Sequence, residues 1–336
     1  MIDGAPEASR WLRAEPRRTW PEPVLRRIVD RALPHSRLLE ARPLSEGRRN
    51  ANFQLRLDSP DRPMVLRIYE HDASLCQKEI DILRTLGGSV PVAEVVYAEP
   101  RGLDEIPPFA LLDYVEGMDI RELRRSGDTE AIAQAAGSAG EVLAAIGSFH
   151  FPKGGWLGPG PVVTMPLLEG ADPMPRFVDL CLGSANLARR MPAELRDRLH
   201  ALVWAQAGAL AELQRESRLV HGDFNARNLV VRLASGRWSV AAVLDWEFAV
   251  SSTPLADLGN FLRYDRAASP LLEPHFSNGY RRAGGELAGD WRERARWTDL
   301  VAICESLTHD GLPDTAAAEL VELARATLEN RDPRIE

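Results

Sequence analysis

The spacing of apolar residues changes once along this chain, near Val115, and this change most restricts the folds that the chain can adopt. Before it, short runs of strand-like composition alternate with turn-rich segments and one stretch of helical spacing. The strand-like runs are 38–44, 52–57, 64–69, 92–98 and 109–115, and the helical stretch is 73–86. This β-β-β-α-β-β order predicts a small antiparallel sheet with one packed helix. A further helix is predicted before it, over 22–33.

Beyond residue 117 the pattern becomes mainly helical. Helices are predicted over 131–146, 176–187, 192–216, 256–263 and most of 291–329. A Gly/Pro-rich connection, FPKGGWLGPGP, interrupts them, and 219–250 is expected to be the one non-helical stretch in the middle of the chain. Because 336 residues are enough for two core-forming units, we expect an α+β protein divided into 1–115 and 116–336.

Composition and charge exclude several classes of protein. The chain has 41 Lys and Arg against 49 Asp and Glu, a net charge of −8, which argues against a nucleic-acid or anionic-membrane surface. Its cysteines, Cys76, Cys181 and Cys304, form no CxxC and indicate neither a disulfide framework nor a zinc site. No signal-peptide pattern and no run of about 18 apolar residues is present. A cytoplasmic protein without a membrane span is therefore expected.

Three oxygen-bearing side chains meet in the 219–250 segment. It reads LVHGDFNARNLVV, a polar turn, then SVAAVLDWEFAV, and its two apolar runs predict a hairpin over 229–232 and 240–244. The hairpin places Asp223 and Asn228 before its first strand and Asp245 directly after its second. Phosphoryl transfer needs such a set, because one carboxylate positions the attacking hydroxyl while Asn and Asp oxygens hold Mg²⁺ on the triphosphate.

These residues also carry a family resemblance. His221, Gly222, Asp223 and Asn228 form HGDxxxxN, which resembles the catalytic loop of the aminoglycoside phosphotransferase family, relatives of the protein kinases. Asp245, in VLDWE, looks like that family's metal-binding Asp. The resemblance implies a bilobal protein-kinase-like fold, with a small antiparallel-sheet N-lobe and a larger, mainly helical C-lobe. It also implies Asp223 as the catalytic residue, ATP and Mg²⁺ as cofactors, and Asn228 and Asp245 as metal ligands.

Plainer interpretations stay open for these positions. Asp223 and Asn228 could simply form a turn, since Asp and Asn favour turns through local hydrogen bonds. His221 is assigned a structural role in holding the backbone. Asp257, in PLADLGNF, looks like the family's buried Asp that fixes the catalytic loop, although an acidic residue at a helix N-terminus is an equal alternative. In SSTPLAD, Thr253 stands where many relatives carry Asp, which puts one loop contact in doubt.

The N-terminal unit is similar to the family's nucleotide-binding lobe. SEGRRNANF resembles the loop over the phosphates through Gly47, Asn50 and Phe53. Arg67, in VLRIY, stands where kinases have a strand Lys that contacts phosphate, and Glu79 of the next helix stands where they have its partner. Arg is a bidentate phosphate ligand and does not simply replace Lys. The alternative for this pair is a surface ion pair.

The segment FALLDYVEG, residues 109–117, is similar to the family's hinge between lobes. In that interpretation the backbone of Asp113 and Val115 hydrogen-bonds the adenine, and apolar neighbours enclose its ring. An ordinary core strand leading into a helix is the alternative. The two descriptions are compatible, because hinge side chains need not touch the ligand.

The resemblance implies an ATP-dependent O-phosphotransferase whose partner is a small-molecule acceptor, nominally an aminoglycoside-type antibiotic. In that case the enzyme would confer antibiotic resistance, and acidic side chains would bind the acceptor. Candidates for this role are Glu247, Glu305, Asp310 and Asp314. Trp156, Trp246 and Tyr280 could instead serve a hydrophobic acceptor or belong to the core.

Other functions remain possible at this point. A macrolide, choline, homoserine or another sugar alcohol could replace the aminoglycoside as acceptor. A protein-directed kinase is disfavoured, because no activation segment of useful length separates Asp245 from Pro254. A nucleotide-binding pseudokinase scaffold is supported only by Arg67 and by the glycine-poor phosphate loop. No obligate protein partner is evident.

Overall fold

A five-stranded antiparallel sheet forms the N-terminal part of the computed structural model, which describes residues 19–44, 50–265 and 271–329. Its strands are β1 (Leu38–Pro43), β2 (Ala51–Leu57), β3 (Met64–Ile68), β4 (Val95–Glu99) and β5 (Phe109–Asp113), in the order β1-β2-β3-β5-β4. Two helices accompany the sheet, α1 (Glu22–Ala32) before it and α2 (Ser74–Leu86) between β3 and β4. The predicted order of elements is confirmed.

The two faces of this sheet are covered by different helices. Side chains alternate between faces along a strand, so Leu66 and Ile68 of β3 pack in one apolar cluster with α1, on the side opposite Arg67. Tyr69, which follows β3, and Leu112 of β5 pack with α2 on the other face. Arg67 is paired across the sheet with Ala110. The strand period therefore directs Arg67 toward α2 rather than toward α1.

The remaining helices lie in the C-terminal part. They are α3 (Ile120–Arg125), α4 (Thr129–Ile146), α5 (Pro173–Leu182), α6 (Ala185–Arg190), α7 (Ala193–Ala205), α8 (Ala207–Leu213), α9 (Leu255–Leu262), α10 (Glu273–Arg282), α11 (Trp291–Leu307) and α12 (Asp314–Leu328). The predicted helices over 176–187 and 192–216 are each divided in two, and 291–329 contains two helices. The break at Gly183 and Ser184 has a local cause, because the Ser184 hydroxyl accepts the Leu187 N–H and begins a new helix. The sequence prediction missed α3 and α10.

Two small sheets complete the C-terminal part. One has the order β11-β10-β6 and contains the predicted hairpin; its strands are β6 (Met118–Asp119), β10 (Leu229–Ala234) and β11 (Arg237–Val243). The other has the order β8-β7-β12-β9; its strands are β7 (Gly155–Leu157), β8 (Val163–Met165), β9 (Arg218–Val220) and β12 (Val250–Ser252). The expectation of a single non-helical stretch is therefore wrong, because the Gly/Pro-rich connection contributes β7 to the second sheet.

The connection between the two parts is short. The last sheet strand ends at Asp113, and β6 already pairs with β10. Gly117 has a φ of +154°, and a Cβ there would lie 2.4 Å from the Val231 carbonyl oxygen. The proposed division at Val115 falls in this connection. One apolar core nevertheless runs across it, joining Ile80 of α2 to Phe224 near the hairpin.

Within the described ranges, no helix is long and apolar enough to cross a membrane.

Helices α4 and α10 cross at a contact made by glycines. A Cβ at Gly140 would lie 2.0 Å from the Phe276 carbonyl oxygen, and one at Gly279 would lie 2.0 Å from the Gly137 carbonyl oxygen. Both obstructing atoms belong to backbone and cannot rotate away. Only glycine at these two positions permits the observed approach of the helices.

We expect Gly140→Ala to destabilise the protein by about 1–3 kcal/mol, as overpacked sites commonly do. Gly208→Ala is the matched control, because Gly208 is also helical and a Cβ there would meet no neighbouring atom within 4 Å; it should be neutral or stabilise by up to about 1 kcal/mol. Urea unfolding measures both. Equal effects of the two substitutions would contradict the described crossing.

Candidate active site

The HGD segment follows β9 and is held by a buried carboxylate. Asp257, near the start of α9, accepts the backbone N–H of His221 at 2.6 Å and that of Gly222 at 3.0 Å. Gly222 has a φ of +82°, and a Cβ there would lie 2.4 Å from the Phe248 carbonyl oxygen. Burial raises the pKa of Asp257 to about 7, while the two N–H donors oppose that rise. Asp257 thus fixes the backbone on which Asp223 stands.

His221 contacts the protein through both ring nitrogens. Its Nδ1 accepts the Asp223 N–H at 3.1 Å, so Nε2 carries the proton and donates to the Leu244 carbonyl oxygen at 2.8 Å. Burial lowers the pKa of His221 to about 4 and keeps the ring neutral. Because both nitrogens are engaged, the imidazole links the HGD segment to the end of β11 and is unavailable for proton transfer.

Asp223 is held by two asparagines. Asn225 Nδ2 donates to its Oδ1 at 2.7 Å, and Asn228 Nδ2 donates to its Oδ2 at 2.9 Å. Burial and the nearby Asp245 charge raise the pKa of Asp223 to about 6, whereas the two amides lower it. The carboxylate therefore remains largely ionised at neutral pH. Sequence reasoning missed Asn225, although an Asn two residues after an Asp in a turn is a usable signal.

Asp245 follows β11 in a left-handed conformation, with φ 61° and ψ 65°. Its side chain is 43% exposed, and its Oδ1 lies 2.5 Å from Arg67 Nη1. The Arg67 side chain is only 8% exposed. A left-handed Asp costs conformational energy, so its carboxylate direction is set by the surrounding structure. That direction brings the end of the hairpin to the N-terminal sheet.

Arg67 is the cation of a buried charge cluster, which consists of Arg67, Glu79, Asp245 and Glu247. Arg67 Nε lies 3.0 Å from Glu79 Oε2, and Arg67 Nη2 lies 3.4 Å from Glu247 Oε2. The Nε–H is not directed at Glu79 and makes no hydrogen bond among the described residues, so this contact is an ion pair only. Burial raises the pKa of Glu79, and the Arg67 charge opposes it. The exposed ion pair considered as an alternative is excluded by this burial.

Two further contacts tie α2 to the turn after Asp245. Trp246 N donates to Glu79 Oε1 at 3.3 Å, and Lys78 Nζ donates to the Glu247 carbonyl oxygen at 2.8 Å. Lys78 is only 4% exposed, and burial lowers its pKa to about 8. Sequence reasoning missed Lys78. Helical periodicity assigns a lysine to solvent by default, and only the position of the turn reveals its partner.

A cleft of about 1070 Å³ brings most of the candidate residues together. Those that line it are Asn50, Arg67, Glu79, Asp113, Val115, Asp223, Asn228, Asp245 and Glu247. His221 and Asp257 lie behind it as support. Gly47 lies outside the described residues.

The four acidic residues that the sequence offers as acceptor contacts are not gathered in the cleft. Glu247 is buried in the charge cluster, where its Oε2 also accepts Asn50 Nδ2 at 2.8 Å. Glu305, Asp310 and Asp314 do not line the cleft; the side chain of Asp310 instead accepts Asn186 Nδ2 at 2.5 Å. Helix spacing alone could not show which face of the α11–α12 region turns toward Asp223.

The aromatic residues considered as acceptor contacts are also placed elsewhere. Trp246 and Tyr280 belong to the apolar core, where they are 0% and 6% exposed. Trp156 does not line the cleft. The core interpretation is the correct one for Trp246 and Tyr280.

The hinge segment offers two backbone groups to a ligand. The Asp113 N–H is already donated to the Glu94 carbonyl oxygen at 2.9 Å, so only the Asp113 carbonyl could contact a base. The Val115 N–H has no partner among the residues that the structure describes. Both residues line the cleft. A heterocyclic ring that carries one hydrogen-bond acceptor and one hydrogen-bond donor could bond to the Val115 N–H and the Asp113 carbonyl together.

Asn228 and Asp245 suit a hard divalent cation. Asn228 uses Nδ2 for Asp223, which leaves its Oδ1 without a partner among the described residues. Asp245 Oδ2 is likewise without one, since only Oδ1 meets Arg67. In the described ranges, no three His, Cys, Asp or Glu side chains are arranged to hold a metal by themselves. Two oxygens are too few for Mg²⁺, so phosphate oxygens and water would complete its coordination.

The partly buried position of Glu305 can be tested through the pH dependence of the free energy of unfolding. Burial raises its pKa from 4.5 to about 7, and its carboxylate has no hydrogen bond among the described residues. A raised folded-state pKa means that the folded protein binds the proton more tightly, so stability falls as the pH rises from 4.5 to about 7. The shift corresponds to about 3 kcal/mol at most, and partial exposure reduces it.

Glu305→Gln should therefore stabilise the protein at pH 8 and have little effect at pH 4.5. Glu322→Gln, at an exposed position of α12, is the control and should show no such pH dependence. Urea unfolding at the two pH values measures both variants. A stabilisation by Glu305→Gln that is the same at both pH values would show that Glu305 is solvated.

Comparisons with known proteins were made for the whole chain. Residues 40–297, most of the chain, match the family model described as "Phosphotransferase enzyme family". No curated protein sequence matches.

Solved structures of aminoglycoside phosphotransferases are similar in fold. One is a thermostable mutant of APH(4)-Ia in a ternary complex with AMP-PNP and hygromycin B, at 20% identity and a TM-score of 0.64, covering 91% of this chain and 98% of that one. Another is the GDP complex of aminoglycoside 2'-phosphotransferase-IIIa, at 18% identity and a TM-score of 0.66, covering 90% and 97%. The fold is thus the α+β protein-kinase-like fold, and the chain belongs to the phosphotransferase enzyme family.

Proposed function

We propose that this phosphotransferase transfers the γ-phosphoryl group of ATP to a hydroxyl of a small molecule. One observation carries the proposal: Asp223, oriented by two asparagines, lines the same cleft as Arg67, Asn228 and Asp245. A carboxylate that can orient a hydroxyl and groups that can hold a metal and phosphates therefore face one space. Phosphoryl transfer depends mainly on such positioning and on charge neutralisation.

The nucleotide would lie between the sheet and the hairpin. The Val115 N–H and the Asp113 carbonyl are suited to the edge of adenine, and Arg67 and Asn50 line the same cleft. The structures similar in fold support a nucleotide here, because they were solved with AMP-PNP, with ADP or with GDP. The family resemblance implies ATP rather than GTP as the phosphoryl donor. Measuring the affinity of the protein for each nucleotide tests this choice.

Each residue of the cleft has a separate task in this proposal. Asp223 accepts a hydrogen bond from the acceptor hydroxyl and directs its oxygen toward the γ-phosphorus. Arg67, which lines the cleft, neutralises phosphate charge. Asn228 and Asp245 would hold Mg²⁺, which supplies charge neutralisation on the phosphates. Asp257 and His221 keep the loop in place without touching the reacting atoms.

The residues that line the cleft bear on the chemical nature of the acceptor. An aminoglycoside was expected from the family resemblance and from four acidic residues, but three of those do not line the cleft and Glu247 is paired with Arg67. Hygromycin B and kanamycin are bound in the similar structures, and that is a property of those proteins. A nucleotide-binding scaffold without activity finds no support in the cleft, because Asp223, Asn228 and Asp245 all face it.

Asp223→Ala should reduce turnover by about 10²–10⁴, the usual cost of losing a group that accepts the hydroxyl proton. Affinity for Mg·AMP-PNP should stay within a few-fold of wild type, because Asp223 is not assigned to the nucleotide. Asp197→Ala, at an exposed position on α7, is the control and should keep full turnover. Coupled ATPase and transfer assays with calorimetry measure both quantities; wild-type turnover in Asp223→Ala would remove this residue from the mechanism.

Asp245→Asn should strongly reduce the Mg²⁺-dependent part of nucleotide affinity, because the amide keeps an oxygen but loses the negative charge. Asn is the suitable replacement, since it tolerates the left-handed backbone that Asp245 adopts. The substitution also releases Arg67 from its 2.5 Å ion pair, so nucleotide binding in EDTA should be preserved or strengthened. Calorimetry with ATP, in Mg²⁺ and in EDTA, separates the two effects. A variant whose affinity still rises with Mg²⁺ as in wild type would disprove the metal assignment.

A further inference from the structure

We propose that the acceptor carries an anionic group, a carboxylate or a phosphate, in addition to its hydroxyl, and that Arg124 and Arg227 bind this group. The inference rests on the proposed function, since it places the anion beside a hydroxyl held at Asp223. It concerns one wall of the cleft, which we call the arginine wall: Arg121 and Arg124 on α3, and Arg227 in the loop after Asp223.

The arginine wall is built onto the catalytic loop itself. The backbone N–H of Arg121 donates to the Ala226 carbonyl oxygen at 3.2 Å, so the start of α3 is bonded next to Arg227. Asp119 caps the helix by accepting the Glu122 N–H at 2.6 Å. Arg124 lies three residues after Arg121, on the same side of the helix. All three arginines line the cleft that contains Asp223.

Two of these arginines are not compensated by the protein. Within the described residues, the guanidinium groups of Arg124 and Arg227 make no hydrogen bond and no ion pair; Arg124 has only an electrostatic interaction with Asp265. Other arginines of the cleft are paired. Arg67 lies in the charge cluster, and Arg263 Nη2 lies 2.7 Å from Asp299 Oδ1.

Two acidic residues of the cleft, Asp113 and Asp119, lie beside arginines other than Arg124 and Arg227. Asp119 lies 3.6 Å from Arg121, and Asp113 lies 2.5 Å from Arg62. Glu319 lies on α12, a different element of the cleft, and is exposed. Guanidinium groups bind carboxylate and phosphate through parallel N–H donors. Arg124 is half-buried and Arg227 is exposed, so both can be reached by a ligand. A polycationic acceptor would instead be repelled by Arg124 and Arg227.

The nucleotide does not account for the arginine wall. Its phosphates are assigned to Arg67 and to the metal held by Asn228 and Asp245. The distance along the chain also suits an acceptor. Arg227 follows Asp223 by four residues, so their Cα atoms are at most about 14 Å apart. With the reach of an arginine side chain, a hydroxylated acid or a sugar phosphate could contact Asp223 and the arginine wall together.

The test uses the full chain with its nucleotide site filled first. Mg·AMP-PNP is titrated into wild type, the double variant Arg124→Gln/Arg227→Gln, and Arg125→Gln. Arg125 is the matched control, because it is the next residue of α3, is exposed and does not line the cleft. All three proteins should bind Mg·AMP-PNP alike. Failure of wild type to bind it would count against the proposed function and not against the arginine wall alone.

Inorganic phosphate is then titrated into each AMP-PNP complex at constant ionic strength. We expect saturable binding in wild type and in Arg125→Gln, and at least a tenfold weaker affinity in the double variant. Kanamycin, titrated in the same way, should bind wild type more weakly than phosphate does. Phosphate binding that is absent in wild type or unchanged in the double variant overturns the inference, as does kanamycin binding tighter than phosphate binding.

Discussion

The rest of the site depends on one interaction, the pairing of the buried Arg67 guanidinium with the carboxylates around it. Taking a charge out of water costs several kcal/mol unless it is paired, and here three carboxylates from two segments surround it: Glu79 on α2, and Asp245 and Glu247 after β11. The ion pairs form only when the sheet, the helix and the end of the hairpin are correctly placed relative to one another. The charge cluster therefore connects the N-terminal sheet to the segment that carries the proposed metal ligand.

A second set of buried polar contacts holds the other half of the site. Asp257 bonds two successive backbone N–H groups, and His221 joins the loop to Leu244, the residue before Asp245. Asp223 and Asp245 are thus positioned by one connected network rather than by independent turns. The network leaves the Asp223 carboxylate and the Asn228 Oδ1 facing the cleft, which is the arrangement that positioning chemistry requires.

Much of this was predictable from local patterns. The strand and helix order of the first 115 residues follows from alternation and turn residues, and the hairpin follows from two apolar runs around a polar turn. The gathering of Asp223, Asn228 and Asp245 follows in turn from the hairpin. Each of these inferences depends on residues that are close in sequence, where the chain geometry leaves few alternatives.

What was missed depends on contacts between distant segments. Glu247 was assigned to the acceptor because its charge is visible in the sequence, but its pairing with Arg67 and Asn50 joins residues 180 and 197 positions apart. Lys78 was overlooked for the same reason. The packing of whole helices decides which face of α11 and α12 is turned toward the cleft. This packing leaves Glu305, Asp310 and Asp314 out of the cleft lining. Arg121 and Arg124 of the arginine wall lie on α3, a helix too short to give a clear periodic signal.

The most direct test of the account is a crystal structure of the protein with Mg²⁺ and AMP-PNP. The account predicts a metal ion coordinated by Asn228 Oδ1 and Asp245, phosphate oxygens on Arg67, the base against the backbone of Val115, and Asp223 facing the γ-phosphate. A nucleotide bound outside the cleft, or one whose γ-phosphate is turned away from Asp223, would contradict it.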